Sequence, residues 1–222
     1  VDEVAAEHVK GDLVIHFGDA CLNSVQKLPV AYSFGKPKLS QDVAVQFEKR
    51  FPDKNDKVCL MSDSSHCYLL PELSSKLKEN GYTNVIYTGI PKDIVPEGSF
   101  VANFPQTKIG RNRVVFSEHE VTQEELQQDY TLFHITTPAD PHLLFLTTSF
   151  ANVVLYDPSS METFEGPFPS MMKRYKFMHV ARTAGTIGIL VNTLSLKNTK
   201  ETINALTKLI KSHDKKSYLF VV

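Results

Sequence analysis

Apolar and polar positions along this chain fall into short blocks, and the spacing inside each block predicts its element. Apolar runs at Leu13 to Phe17, Pro29 to Phe34, Lys57 to Met61, Asn84 to Thr88 and Val114 to Phe116 predict strands. So do Leu132 to Ile135, Leu143 to Thr147, Val153 to Tyr156, Ile187 to Val191 and Ser217 to Val222. The first of them is continuous and rich in β-branched and aromatic residues, as expected of a strand covered on both faces. Helical spacing places Val4, Ala5, His8 and Val9 on one face of an opening helix, with Gly11 in the left-handed position that closes it. Asp42 to Arg50 predicts a helix with Val43, Ala44 and Phe47 inward. The polar turn Ser62 to Ser65 leads into a helix that stops at Asn80-Gly81, and Pro71 is expected to distort its first turns. Thr122 with Glu125 forms a capping box for a short helix. Ser170 to about Arg182 and Thr199 to Lys211 are further helices, the latter with Ile203, Leu206, Leu209 and Ile210 inward. Ile90 to Arg113, with Pro91, Pro96 and Pro105, reads as a long surface loop, and Asp157 to Pro169 as turns.

Strand, helix, strand at Lys57 to Thr88 and again at Ile187 to Val222 gives parallel pairs with right-handed crossovers. The fold class is therefore α/β, in repeated three-layer units with mostly parallel sheets. The hydrophobic share of 42% and charged share of 22% are those of an ordinary soluble globular protein. A net charge of -1 and the lack of any long basic run argue against nucleic acid as a partner. The longest apolar stretches, Leu143 to Leu146 and Ile187 to Val191, are too short to span a membrane, and the amino terminus lacks the basic-then-apolar order of a secretion signal. The chain opens inside a helix without an initiator Met and ends on an apolar strand, so it reads as a piece of a longer protein.

Three cysteines without regular spacing, Cys21, Cys59 and Cys67, do not form a disulfide framework and point to a reducing, cytoplasmic setting. Cys21 is the strongest candidate for chemistry, because Gly18-Asp19-Ala20-Cys21 lies just past the carboxyl end of a strand, where open α/β sheets bind ligands. Cys59, mid-strand, reads as core. Cys67 opens a helix, whose dipole lowers a thiol pKa, but with no base beside it in sequence it reads as packing. His16, His8 and His134 read as satisfied buried histidines, and no histidine pair has metal-ligand spacing. Asp63, Asp129, Asp140 and Asp157, at strand ends and turns, are explained by capping. Gly185-Thr186-Ile187-Gly188 precedes its strand, so it is no phosphate loop; it reads as a helix end with a close backbone approach at Gly188. The Asn192 to Ser195 turn, after that strand, is better placed for a ligand.

VDEVAAEH at Val1 to His8, LVIHFGDACL at Leu13 to Leu22, LPVAYSFG at Leu28 to Gly35 and ARTAGTIGILVNTL at Ala181 to Leu194 resemble the diphthamide synthase family, most of all its second, non-catalytic type of subunit. The resemblance implies three similar α/β domains: the end of the first at 1–52, the second at 53–169 and the start of the third at 170–222. It implies a role in transferring the 3-amino-3-carboxypropyl group of S-adenosylmethionine to a histidine of translation elongation factor 2. It also implies a [4Fe-4S] cluster in the full-length protein, a heterodimer with a catalytic subunit, and an electron-donor protein, with this subunit supporting cluster reduction in its partner. The family's middle-domain cysteine position falls near Thr136 to His142, where this chain has none, which favours the non-catalytic type. In that type Cys21 is a candidate cluster ligand, and the other ligands lie outside the chain. The competing class is an α/β interaction module or a nucleotide-binding enzyme of unrelated function.

Overall fold

The computed structural model describes residues 1–222 apart from 23, 24, 26, 39, 41, 91–105, 110–112, 192–198 and 222, with backbone alone at 106–109 and 170. In chain order the elements are α1 (Glu3–His8), β1 (Val14–Phe17), β2 (Val30–Ser33), α2 (Asp42–Arg50), β3 (Val58–Ser62), a 3-10 turn (Cys67–Leu69) running into α3 (Leu70–Glu79), β4 (Val85–Gly89), β5 (Gln106–Ile109), β6 (Arg113–Phe116), α4 (Gln123–Gln128), β7 (Thr131–Ile135), α5 (Leu143–Ser149), β8 (Asn152–Asp157), β9 (Glu162–Glu165), α6 (Pro169–Thr183), β10 (Thr186–Val191), α7 (Thr199–Ser212) and β11 (Lys216–Val221). They divide into two compact units: Ile15–Asn23 with Tyr32–Ser170, and Val1–Val14 with Ser24–Ala31 and Met171–Val222.

The larger unit is built on a seven-stranded sheet in the order β5-β6-β4-β3-β7-β8-β9. Its centre, β4-β3-β7-β8, is parallel, and antiparallel β6 and β9 flank it. Alternation along the strands sends side chains to opposite faces. Val58 and Leu60 of β3, Phe133 and Ile135 of β7, and Val154 and Tyr156 of β8 meet Val43, Ala44 and Phe47 of α2 and Leu70, Leu73 and Leu77 of α3. Cys59 and Met61, Leu132, and Val153 and Leu155 point the other way, onto Leu126 of α4 and Leu143 and Leu146 of α5. The result is a three-layer α/β unit with mostly parallel pairing. Although α2 precedes residue 53, it packs in this core.

The connections matter for function. From β3 the chain passes through α3 on one face and returns as β4; from β7 it passes through α5 on the other face and returns as β8. Two crossovers of one hand leaving adjacent parallel strands in opposite directions must use opposite faces. The carboxyl ends of β3 and β7 are therefore the topological switch point of the sheet, the place where open α/β sheets bind ligands.

The smaller unit contains the parallel pair β10–β11, in register from Thr186↔Lys216 to Val191↔Val221, with α7 as its crossover. Strands β1 and β2 form a separate two-stranded sheet. The Val14 N–H donates to Pro29 O at 3.0 Å and the Gly18 N–H to Ser33 O at 2.9 Å, which makes that pair parallel too.

Several local expectations are corrected. Leu143 to Thr147 is helix α5, not a strand: Leu143 and Leu146, three apart, are its buried residues, and a short apolar run fits either element. Strand β9 lies inside the predicted turns, and β5 inside the predicted loop; Ile90 through 105 is otherwise mostly outside the described residues. Pro71 sits in the first turn of α3, where its missing N–H costs no bond, so it does not distort the helix. Helix α1 buries Glu3, whose Oε1 accepts the N–H groups of Lys27 at 2.7 Å and Leu28 at 3.2 Å, while Val4, His8 and Val9 are exposed. Its left-handed closing residue is Lys10, at φ 55, not Gly11. The Thr122 hydroxyl accepts the Glu125 N–H as expected, but the Glu125 carboxylate pairs with Lys57 Nζ at 2.9 Å, so the box is half made. Strand β1 alternates half-buried and exposed instead of being covered on both faces, and Leu206 and Leu209 of α7 are exposed.

Candidate functional site

The loops at the carboxyl ends of β3 and β7 carry two acid–histidine pairs. After β3, Asp63 Oδ1 accepts the His66 backbone N–H at 3.0 Å and holds His66 Nδ1 at 2.9 Å. Burial pushes the Asp63 carboxyl up, yet the His66 bonds and charge outweigh it and hold the group below its ordinary value. After β7, Asp140 is the hub. Its Oδ1 accepts the His142 N–H at 2.8 Å and lies 2.9 Å from His142 Nδ1; its Oδ2 accepts the Thr136 hydroxyl at 3.0 Å and lies 3.2 Å from His134 Nε2. Burial again pushes this carboxyl up, and the histidine bonds overcome that and hold it far below the usual carboxylate range. In return, the bond to Asp140 raises the His142 pKa. Asp63 N–H donates to Ile135 O at 3.1 Å, which locks the two strand ends in register beneath these loops.

A third loop reaches the same edge. Asp19 Oδ1 accepts the Ser64 N–H at 2.7 Å, and Ser64 Oγ donates to Ala20 O at 3.1 Å. Arg113, opening β6 beside the carboxyl end of β4, donates from Nη2 to Ser64 Oγ at 3.3 Å. His142 feels the charges of both Asp19 and Arg113.

Cys21 lies on this third loop. Its neighbours Ala20 and Leu22 are buried with Cys67 and Ile90, while Cys21 itself is exposed. Leu22 takes a left-handed backbone, φ 55, so the chain turns sharply at the thiol. Cys59 is core, as expected, and burial pushes its thiol up beyond ionisation at neutral pH. Cys67 is also packing: burial pushes its pKa up to about 11, against the lowering effect of nearby Arg113. His134 is buried as expected. His16 is only half-buried, with Nε2 2.9 Å from Asp19 O, and His8 is exposed. Asp157 is a turn cap, its Oδ1 accepting the Ser159 N–H at 2.9 Å, whereas Asp129 pairs with Lys57 at 3.3 Å. Helix α6 ends before Gly185; a Cβ at Gly188 would lie 3.4 Å from the Phe220 ring, so the close approach there is by a side chain. The Asn192 to Ser195 turn lies outside the described residues.

The spacings Asp63-x-x-His66 and Asp140-x-His142 were the available signal for these two acid–histidine pairs. Among the described residues no group of three or more His, Cys, Asp or Glu side chains is arranged to hold a metal ion, and no helix is long and apolar enough to cross a membrane.

A fold of this kind is known. The crystal structure of Dph2 from Pyrococcus horikoshii with a 4Fe-4S cluster superposes with a TM-score of 0.65 at 20% identity, over 99% of this chain and 60% of that one. In sequence, the 2-(3-amino-3-carboxypropyl)histidine synthase subunit 2 of Kluyveromyces lactis and that of Candida glabrata are each 53% identical to it over its whole length. The chain spans 39% and 42% of those two relatives. The family model for putative diphthamide synthesis proteins matches residues 1–222, and with whole-chain relatives at this identity the chain belongs to the diphthamide synthesis protein family.

Proposed function

We propose that the chain is part of subunit 2 of a 2-(3-amino-3-carboxypropyl)histidine synthase, acting in the first step of diphthamide biosynthesis. The complex would use S-adenosylmethionine to modify a histidine of translation elongation factor 2 in the cytoplasm. This subunit would pair with a catalytic partner and support reduction of that partner's cluster by an electron-donor protein. The sequence match to subunit 2 over the whole chain carries this reading. In the complete protein, the segments 1–52, 53–169 and 170–222 would belong to three successive α/β domains.

A cluster fits this chain only in part. A [4Fe-4S] cluster is held by cysteine thiolates, and Cys59 and Cys67 are buried in packed side chains. Cys21 alone has the required access, on a turn pinned at Ala20 and Asp19 by Ser64. When bound, the cluster would supply single electrons. What this chain contributes is one oriented thiolate: the buried anchors Ala20 and Leu22 fix the backbone and turn the side chain outward.

The test is iron content. Full-length protein purified without oxygen is expected to be brown, with the visible iron–sulfur absorption, and Cys21→Ser is expected to lower its iron content. Undiminished iron in that variant would remove Cys21 from the ligand set, and a colourless, iron-free wild-type protein would argue for an interaction module.

A further inference from the structure

Asn80-Gly81 is the one Asn-Gly pair in the sequence, and the fold places it where α3 ends. Asn80 is the C-cap, and Gly81 follows at φ 95, a left-handed backbone open to glycine. The Gly81 N–H donates to Lys78 O at 2.9 Å and the Tyr82 N–H to Leu77 O at 3.1 Å, which together form a Schellman closure. The Asn80 side chain is held as well: its Nδ2 donates to Glu48 Oε1 of α2 at 2.7 Å. Both residues of the pair are exposed, and a Cβ built on Gly81 would meet nothing within 4 Å, so water has access to the amide. Tyr82, the next residue, is buried with Leu77 in the core beneath α2 and α3, and its hydroxyl donates to Phe51 O at 2.6 Å.

An asparagine before a glycine can react with its own backbone, because no side chain on the second residue shields the attacking nitrogen. The Gly81 nitrogen gives its proton to solvent and bonds to Asn80 Cγ. The Cγ–Nδ2 bond breaks, and Nδ2 takes up a proton and leaves as ammonia. Water then opens the succinimide: attack at Cγ leaves aspartate, and attack at the Asn80 carbonyl carbon leaves isoaspartate. The closed turn opposes each part of this. At ψ 6 the Gly81 nitrogen eclipses the Asn80 nitrogen and is turned from the Cβ that carries the amide. The Gly81 N–H is bonded to Lys78 O, and the departing Nδ2 is bonded to Glu48.

We propose that Asn80 is a gated deamidation site, which reacts when the last turn of α3 opens and whose product keeps that turn from closing as before. One local opening breaks the Gly81 bond and frees the rotation that the attack needs. The product places a carboxylate against Glu48, where the amide had donated, at the negative end of the helix dipole. In isoaspartate the main chain also gains a methylene between α3 and Tyr82, which displaces the Tyr82 N–H from Leu77 O. The site invokes neither Cys21 nor a cluster, so it stands apart from the transferase reading.

The test is incubation of full-length protein at neutral pH, native and in denaturing urea, beside a synthetic peptide of residues 76–85, with aspartate and isoaspartate at position 80 counted by peptide mass spectrometry. Native conversion is expected to be slower than in urea or in the peptide by about tenfold or more, the worth of one or two hydrogen bonds. Glu48→Ala is expected to speed native conversion a few-fold and leave the rate in urea unchanged, while Glu48→Gln, which keeps an acceptor, stays near the wild type. Hydrogen exchange at the Gly81 N–H is expected to rise in parallel with the conversion rate. Asn80→Asp, which encodes one product, is expected to speed exchange at Gly81 and Tyr82. Equal rates in the native protein and the peptide would overturn the gate, as would conversion that does not follow Gly81 exchange. An unchanged or slower native rate in Glu48→Ala would overturn the part given to Glu48, and unchanged exchange in Asn80→Asp would overturn the effect given to the product.

Discussion

The central sheet and the β10–α7–β11 unit are written in the same sequence grammar and end in opposite states of burial. In both, β-branched and aromatic runs pair in parallel around an amphipathic helix. In the central sheet Phe133 is fully buried; in β11 Phe220 is 55% exposed, and Tyr218, Leu219 and Val221 are exposed with it. The difference is cover. β3 and β7 have strands on both sides and helices on both faces, whereas among the described residues β10 and β11 have only each other in the sheet. Parallel strands are stable when both faces are covered, and two strands alone do not make a core. Pattern therefore specifies pairing and topology, while burial depends on how many elements are present; the relatives with which this chain aligns are more than twice its length.

The same substitution at the two sites gives the largest test of that contrast. Phe133→Ala removes a ring in contact with Phe47 and Tyr156 and is expected to cost about 3–5 kcal/mol. Phe220→Ala in the same 222-residue chain is expected to cost about 1 kcal/mol or less. Denaturant unfolding of both variants measures the difference, and equal costs would show that the β10–β11 faces are packed after all.

Most of the covered region was legible in sequence, because alternation within β3, β7 and β8 is set by the two faces they bury. The helix α5 was not legible: Leu143 to Thr147 offers five residues, too few for period 3.6 to separate from period 2. The opening helix misled for a different reason. Val4 and Val9 form an apolar face, but Glu3 is the residue held inside, by backbone N–H groups of a segment more than twenty positions away. Part of the site was visible, since Cys21 at the end of a strand run is a local feature. The acid–histidine pairs were seen only as caps. Asp63 and Asp140 are far apart in the chain, and the register Ser62↔Ile135 brings their loops side by side. Nothing local in either loop announces that.

The buried hub offers the next test, intermediate in size. Asp140 has its pKa lowered in the fold, so its contribution is present above the unfolded carboxylate value, about 3.9, and is lost as pH falls through the folded value. His142 has its pKa raised, so its contribution is complete below the unfolded imidazole value, 6.5, and is lost as pH rises through the folded value. The pair therefore stabilises most between about pH 4 and pH 6.5. Asp140→Asn keeps the size and one acceptor but removes the charge, and is expected to cost about 1–3 kcal/mol inside that window and to flatten the profile on both sides. Chemical denaturation across pH measures it; a profile unchanged in shape would mean that the pair carries no linkage.

The smallest effect is expected back in the uncovered unit, at Gly188. A Cβ built there would lie 3.4 Å from Phe220 Cε2 and 3.7 Å from Cδ2, ordinary contact with the edge of a ring that is itself more than half exposed and free to shift. The glycine needs no left-handed backbone, since it is absent from the positive-φ positions, so neither strain nor a rigid neighbour opposes the methyl group. Replacing it should also reduce the entropy of the unfolded chain, which works in favour of the variant. Gly188→Ala in the 222-residue chain is thus expected to change stability by about 0.5 kcal/mol or less, in contrast to a glycine under a packed sheet, where the same methyl group would meet immovable side chains. Thermal melting resolves the two cases: a large loss at Gly188 would mean that Phe220 is pinned from its outer side, and the contrast between a covered and an uncovered parallel pair would then fail at the point where it is drawn most sharply.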